Sequence, residues 1–306
     1  MQPLRGISFK IASVLLLIVM AALVKAATER VPAGQAVFFR SFFALPVILA
    51  WLTWRGELRT GWRTARPLGH VWRGLAGTAS MGCSFAALAY LPLPEATAIG
   101  YAAPLLTVVF AALFLGEVVR GFRISAVMLG MVGVLIVLSP QLTGLHSDGG
   151  TQRAIGGALA LTGATLAAMA QVQVRRLVAT EPTATIVFWF SLTAAGLSLL
   201  TAPFGWVVPT GPEFAMLVCA GLLGGVGQIL LTSSYKHADA SVVAPFEYVS
   251  IVFALGIGYW VFGDLPTLTM LAGAALVVLA GILIIWRERR LGLSRARQRK
   301  AMTPQS

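Results

Sequence analysis

Charge is scarce in this chain. Of its 306 residues 11% are charged and 58% hydrophobic, against roughly 25% charged in an ordinary soluble domain. That scarcity excludes water as the solvent for most of the molecule. Cysteine is scarcer still: Cys83 and Cys219 lie inside apolar runs at places that do not correspond, so no structural disulfide is expected and no metal-ligand spacing exists. The three histidines, His70, His146 and His237, sit in joints or at run ends. Without a His-Glu zinc motif, paired carboxylates or a Ser/His pair, a membrane-embedded enzyme lacks convergent chemistry. No catalytic residue, metal or cofactor is therefore expected. No nucleotide-binding motif occurs, which excludes ATP as the direct driver of any transport.

What is present is a succession of apolar runs, each about long enough to cross a 30 Å hydrocarbon core. Ten are read, at roughly 7–27, 34–53, 71–91, 95–115, 121–139, 154–177, 183–202, 213–235, 240–263 and 268–286. They must be helices, because an isolated span satisfies its backbone groups in lipid no other way. The joints are short, such as Pro92-Leu93-Pro94 and Asp148-Gly149-Gly150. The expected fold is therefore an all-α membrane protein of ten transmembrane helices.

The formal charge of +12 suggests nucleic acid until its distribution is considered. Arg5, Lys10, the 55–73 arginines, Arg120, Arg123, Arg175, Arg176, Lys236 and the tail from Arg287 onward make 19 of the 23 basic residues. All fall on one side of a ten-span chain. By the positive-inside rule both termini are cytoplasmic, in an inner membrane of bacterial type. The basic excess orients the chain and touches anionic lipid; nucleic acid is not an expected partner. Residues 1–27 have the outline of a signal peptide, but the first run has a counterpart in the sixth, which argues against cleavage.

That counterpart belongs to a repeat. Lys25, Pro32 and Val37-Phe38-Phe39 face Arg175, Pro182 and Val187-Phe188-Trp189 at an offset of 150. Glu95-Ala96-Thr97-Ala98-Ile99 faces Asp239-Ala240-Ser241-Val242-Val243 at 144, and Gly116-Glu117 faces Gly263-Asp264 at 147. The units are 1–144 and 145–288, with a basic cytoplasmic tail over 289–306. Five spans per unit is odd, so the second copy runs upside down relative to the first. Inverted five-helix repeats are the arrangement of alternating-access transporters, with substrate near the midplane between the copies.

The corresponding fourth and ninth runs carry Tyr101-Ala102-Ala103-Pro104 and Pro245-Phe246-Glu247-Tyr248. At an offset of 144 tyrosine and proline are exchanged between them. Interrupted helices at matching places point to a transport site, so Tyr101, Pro104 and Tyr248 are candidates for substrate binding. Glu247 is an ionisable group in an apolar run, suited to holding an ammonium group or a coupling proton. Arg40 is the other charged candidate, for a substrate carboxylate or an ion pair. Ser80, Ser84 and Gln228 supply polar groups to a cavity, and Trp189 is a candidate wall. Gly116-Glu117 and Gly263-Asp264 are expected to begin and cap the next helix. Gly156, Ala160, Ala164 and Ala168, and Gly221 with Gly225, are small-residue packing stripes.

Arg40-Ser41-Phe42-Phe43-Ala44, Pro104-Leu105, Gly116-Glu117, Tyr235-Lys236-His237-Ala238-Asp239-Ala240-Ser241 and Ala244-Pro245 together resemble the EamA-type members of the drug/metabolite transporter superfamily. The likeness covers about residues 7–288. It implies ten helices in two inverted repeats and export or exchange of small metabolites, amino acids and related compounds foremost. A channel for small solutes is the alternative, which counterflow would separate from a carrier, and an enzyme is the lesser one.

Overall fold

The computed structural model describes residues 3–58, 61–115, 121–143, 150–178, 180–237 and 244–302. Gly116, Glu117 and residues 239–243 lie outside them, and so does the Pro245 side chain.

The described chain is helical throughout, with no strand. Its helices are α1 (Pro3–Ala27), α2 (Ala33–Trp54), α3 (Pro67–Leu88), α4 (Leu93–Gly100), α5 (Ala102–Leu115), α6 (Gly121–Thr143), α7 (Gly150–Val178), α8 (Thr183–Leu199) and α9 (Gly211–His237). A 3-10 segment (Ala244–Tyr248) then runs into α10 (Val249–Phe262), and α11 (Leu268–Met302) follows. Proline sets several starts: Pro32, Pro92 and Pro182 occupy the N-cap with extended backbone, and Pro67 opens α3. Its missing N–H costs nothing there, because the first-turn donors have no intrahelical partner.

Among the described residues, six helices are long and apolar enough to cross a membrane. They are Leu4–Ala27, Ala33–Trp54, Leu93–Phe114 (α4 with α5), Gly150–Val174, Gly211–Leu231 and Leu268–Arg287. Three shorter apolar helices are Ile124–Pro140, Ala184–Leu199 and Phe246–Phe262. The remaining helix, α3, carries His70 and Arg73, which reduce its apolarity. Length and apolarity alone therefore mark fewer spans than the ten expected. Large apolar side chains such as Leu113, Leu135, Val252 and Trp260 face outward, as a surface solvated by hydrocarbon requires.

Packing pairs helices that are distant in sequence. The largest interfaces are α1 on α9, α3 on α7, and α6 on α11; then come α2 on α9, α2 on α8, α5 on α7 and α3 on α8. The small-residue stripes lie in these seams. Ala160, Ala164 and Ala168 are buried on α7, and Gly221 and Gly225 lie under Phe43, Ala44 and Val47 of α2. At the α6–α11 crossing, a Cβ on Gly133 would stand 2.7 Å from the Gly273 carbonyl oxygen, and one on Gly273 2.6 Å from that of Gly133. Only glycine permits this approach.

Two end contacts differ from expectation. Gly263 closes α10 with a left-handed φ of 67°, but the Asp264 carboxylate does not cap the helix after it. It accepts from the Leu93 N–H at the start of α4, at 3.4 Å, while Thr267 caps α11 through the Met270 N–H. Lys25, whose place near the outer end of the first run suggests an interfacial charge, has its Nζ donating to the Leu91 carbonyl at 2.7 Å and standing over the Phe262 ring.

Candidate functional site

The fourth apolar run is broken where its composition predicts. Pro104 has no N–H for the Gly100 carbonyl four residues back, and α4 ends at Gly100, with Tyr101 between it and α5. The ninth run is interrupted as well, passing from 3-10 to α-helix at Tyr248. The two tyrosines at these breaks meet, with ring centroids 5.1 Å apart at a 60° tilt. Tyr101 and Tyr248 stand 147 residues apart, the same separation as Gly116-Glu117 and Gly263-Asp264. The ring that meets Tyr101 is that of Tyr248; the side chain of Pro245, its mate in the exchanged pairing at 144, lies outside the described residues.

Hydroxyl groups knit the breaks together. Ser250 Oγ donates to the Glu247 carbonyl at 2.7 Å. A serine has one proton to give, so in its contact with Ser250 the Tyr101 hydroxyl is the donor. The same hydroxyl lies 3.4 Å from the Tyr248 carbonyl. Tyr248 packs its hydroxyl end over Gly281 of α11, where a Cβ would collide with it. Beside this cluster the Glu247 carboxylate accepts from Lys10 Nζ at 3.2 Å; Lys10 is buried and Glu247 is 46% exposed. Lys10 is thus an internal partner of the site, although its place in the N-terminal basic group suggested a surface charge.

The other candidates divide around this cluster. Ser84 lines a cavity of about 140 Å³ with Ala21, Phe85, Thr97, Gly100 and Ala160, ending next to the break at Tyr101. Ser80 is committed to the Gly163 carbonyl at 2.7 Å. Gln228 is half-buried on α9, and Pro104 is half-buried on α5. Trp189 is not part of the tyrosine cluster: its Nε1 donates to the Trp62 carbonyl, and its ring centroid lies 6.2 Å from that of His70.

Arg40 is buried inside the bundle, not at the membrane interface. Among the described residues no carboxylate lies within salt-bridge distance, and its Nε has no hydrogen-bond partner. Its guanidinium carbon stands 5.8 Å from the Phe190 ring centroid, and that of Arg73 stands 3.7 Å from the same ring. Arg73, read in the sequence as a surface charge, has its Nε and Nη1 buried without partners. A desolvated cation–π contact is worth about 2 kcal/mol. Burying an ion costs several kcal/mol, so the ring does not offset two such cations.

The model of the EamA-like transporter family matches residues 4–139 and 154–286 of the chain. The pseudopaline exporter CntI of Pseudomonas aeruginosa is 33% identical, over 86% of this chain and 90% of its own. An S-adenosylmethionine uptake transporter of Rickettsia bellii is 28% identical, over 85% and 86%. A riboflavin transporter of Rhizobium johnstonii is 31% identical, over 85% and 83%. A solved crystal structure superposes with a TM-score of 0.65 at 23% identity, covering 94% of this chain and 98% of the other, which is a likeness of fold.

Proposed function

The chain belongs to the EamA-like transporter family of the drug/metabolite transporter superfamily and is an integral membrane transporter, not an enzyme; from that premise we propose that it exports or exchanges small metabolites by alternating access. Amino acids and related compounds are the foremost cargo. The membrane is the bacterial cytoplasmic one and both termini are cytoplasmic. The relatives named for pseudopaline, S-adenosylmethionine and riboflavin differ in cargo, so kinship sets the class of substrate and not the compound.

The carrying observation is the meeting of Tyr101 and Tyr248, each at the interruption of its own run. Interrupted segments at corresponding places in two copies mark a transporter's binding site. On this reading Tyr101, Tyr248, Pro104 and Ser84 belong to that site. Glu247, exposed on one side and held by Lys10 on the other, is placed to exchange a proton or an ammonium group with that partner.

The packing supports ten spans in two inverted copies, counting α4 with α5, and the 3-10 segment with α10, as one span each. Exchanging the copies turns α1 on α9 into α7 on α3, α2 on α9 into α8 on α3, and α5 on α7 into α10 on α1, all of which occur. The exchange reaches single hydrogen bonds. Ser13 Oγ donates to the Gly227 carbonyl at 2.7 Å, and Ser80 Oγ to that of Gly163 at 2.7 Å. Ser13 matches Gly163 at 150, and Ser80 matches Gly227 at 147.

Counterflow in proteoliposomes against labelled amino acids, other metabolites and cationic drugs tests the proposal. Saturable counterflow of at least one amino acid is expected, whereas non-saturating flux without counterflow would indicate a channel. For coupling, Glu247→Gln should flatten the pH dependence of transport; an unchanged profile rejects Glu247 as the proton carrier.

A further inference from the structure

We propose that Arg40 and Arg73 form a receptor for an oxyanionic group of the cargo, a carboxylate or a phosphate, where the two copies meet. This rests on the transporter reading above. Arg40 on α2 and Arg73 on α3 converge on one ring, Phe190 of α8. Arg40 is only 5% exposed, and three nitrogens of the pair, Arg40 Nε with Arg73 Nε and Nη1, are buried without a hydrogen-bond partner. No acidic side chain among the described residues forms a salt bridge with either. The two cations are also close enough to repel each other. Like charges buried side by side need an anion between or beside them. A guanidinium's fork of N–H donors suits the paired oxygens of a carboxylate or phosphate.

The address is that of a transport site. Arg40 and Phe190 match at an offset of 150, so their contact straddles the axis that exchanges the copies. Glycine makes room on both sides. A Cβ on Gly77 would meet Phe190 at 2.7 Å and Arg73 Nη1 at 2.9 Å, and one on Gly224 would meet Arg40 Nε at 3.1 Å. Gly77 and Gly224 match at 147. Arg73 keeps partial exposure and Arg40 almost none, so an anion reaches Arg73 first.

The full chain in nanodiscs should be melted with succinate, L-glutamate, glycerol 3-phosphate, inorganic phosphate, chloride, and the uncharged glycerol and succinamide. At least one organic oxyanion should raise the melting midpoint, with succinate and glycerol 3-phosphate separating carboxylate from phosphate, while the neutral compounds leave it unmoved. Arg40→Gln and Arg73→Gln should each raise the half-saturating concentration tenfold or more, and Arg73→Lys should fall between. Arg176→Gln, at a helix end, should match the unsubstituted protein. Without ligand the glutamine variants should melt no lower than the parent, because an uncompensated charge has been removed. The proposal is overturned by the absence of any oxyanion response, by a response that survives the substitutions, by an equal response to chloride and phosphate alone, or by glutamine variants that melt well below the parent. Oxyanion binding without counterflow would instead sink only the transport reading. Counterflow of neutral cargo without an oxyanion response would sink only the receptor.

Discussion

A single hydroxyl illustrates how the breaks are held. Tyr101 donates to Ser250, whose own proton is used on the Glu247 carbonyl. Tyr101→Phe leaves a buried acceptor unmet, at a cost of about 1–3 kcal/mol. Its melting midpoint should fall in nanodiscs, and counterflow with it. Tyr248→Phe should do less, because the Tyr248 hydroxyl makes no hydrogen bond among the described residues. The Lys10–Glu247 pair predicts a second asymmetry. Breaking a fully buried pair costs about 3–5 kcal/mol, and the exposure of Glu247 reduces that figure here. Glu247→Gln takes one carboxylate from a buried lysine, whereas Lys10→Met leaves a carboxylate that water can reach. Glu247→Gln should therefore melt lower than Lys10→Met, and the reverse order would contradict the assignment. Tyr101, Tyr248 and Glu247 were legible in the sequence because polar or ionisable groups stand out in apolar runs. Lys10 and Arg73 were not, since each lies among other basic residues near a run's start and reads as part of the surface excess. The available signal for Arg73 was its place just inside the third apolar run.

Elements hold the site through their ends and crossings. Tyr248 rests on Gly281, so Gly281→Ala must displace the ring or part the 3-10 segment from α11. Counterflow should drop severalfold with the protein still folded, and unimpaired transport would show that the tyrosine pair need not stay together. At an end of α8, Glu181 accepts from the Thr64 hydroxyl and from the Ala65 and Arg66 amides at 2.7, 2.8 and 3.1 Å. Burial pushes its carboxyl upward, but these three hydrogen bonds, with the neighbouring His70, outweigh it and hold the group below its ordinary value of 4.5. A depressed carboxyl contributes stability above its unfolded value and loses it as pH falls through the folded one. The parent protein should lose stability relative to Glu181→Gln as the pH drops below 4.5. Melting curves across that range check it. The breaks were legible from Pro104 and the matching run, but their register was not. Residues 95–99 align with 239–243 at 144, whereas the two tyrosines that meet stand 147 apart, and helix composition alone does not choose between the two spacings.

At the scale of the whole molecule, the repeat makes the strongest claim. Its outline is an expectation from composition and turn residues that recur at long period. The convergence of Arg40 and Arg73 on Phe190 was not legible, since helix rotation cannot be read from one sequence. If the copies are inverted equivalents, the inward-open and outward-open states are related by exchanging them. A substitution that favours one state must then have a mate that favours the other, because the mate stands in the first state where its partner stands in the second. Ser13 and Ser80 provide such a pair, since their bonds to Gly227 and Gly163 exchange. With Cys83 and Cys219 replaced, Glu29→Cys reports one face of the membrane and Arg63→Cys the other through their labelling rates. Ser13→Ala and Ser80→Ala should shift the ratio of the two rates in opposite directions. Shifts of the same sign would mean that the two bonds are not equivalent, and the alternating-access reading would lose the symmetry on which it depends.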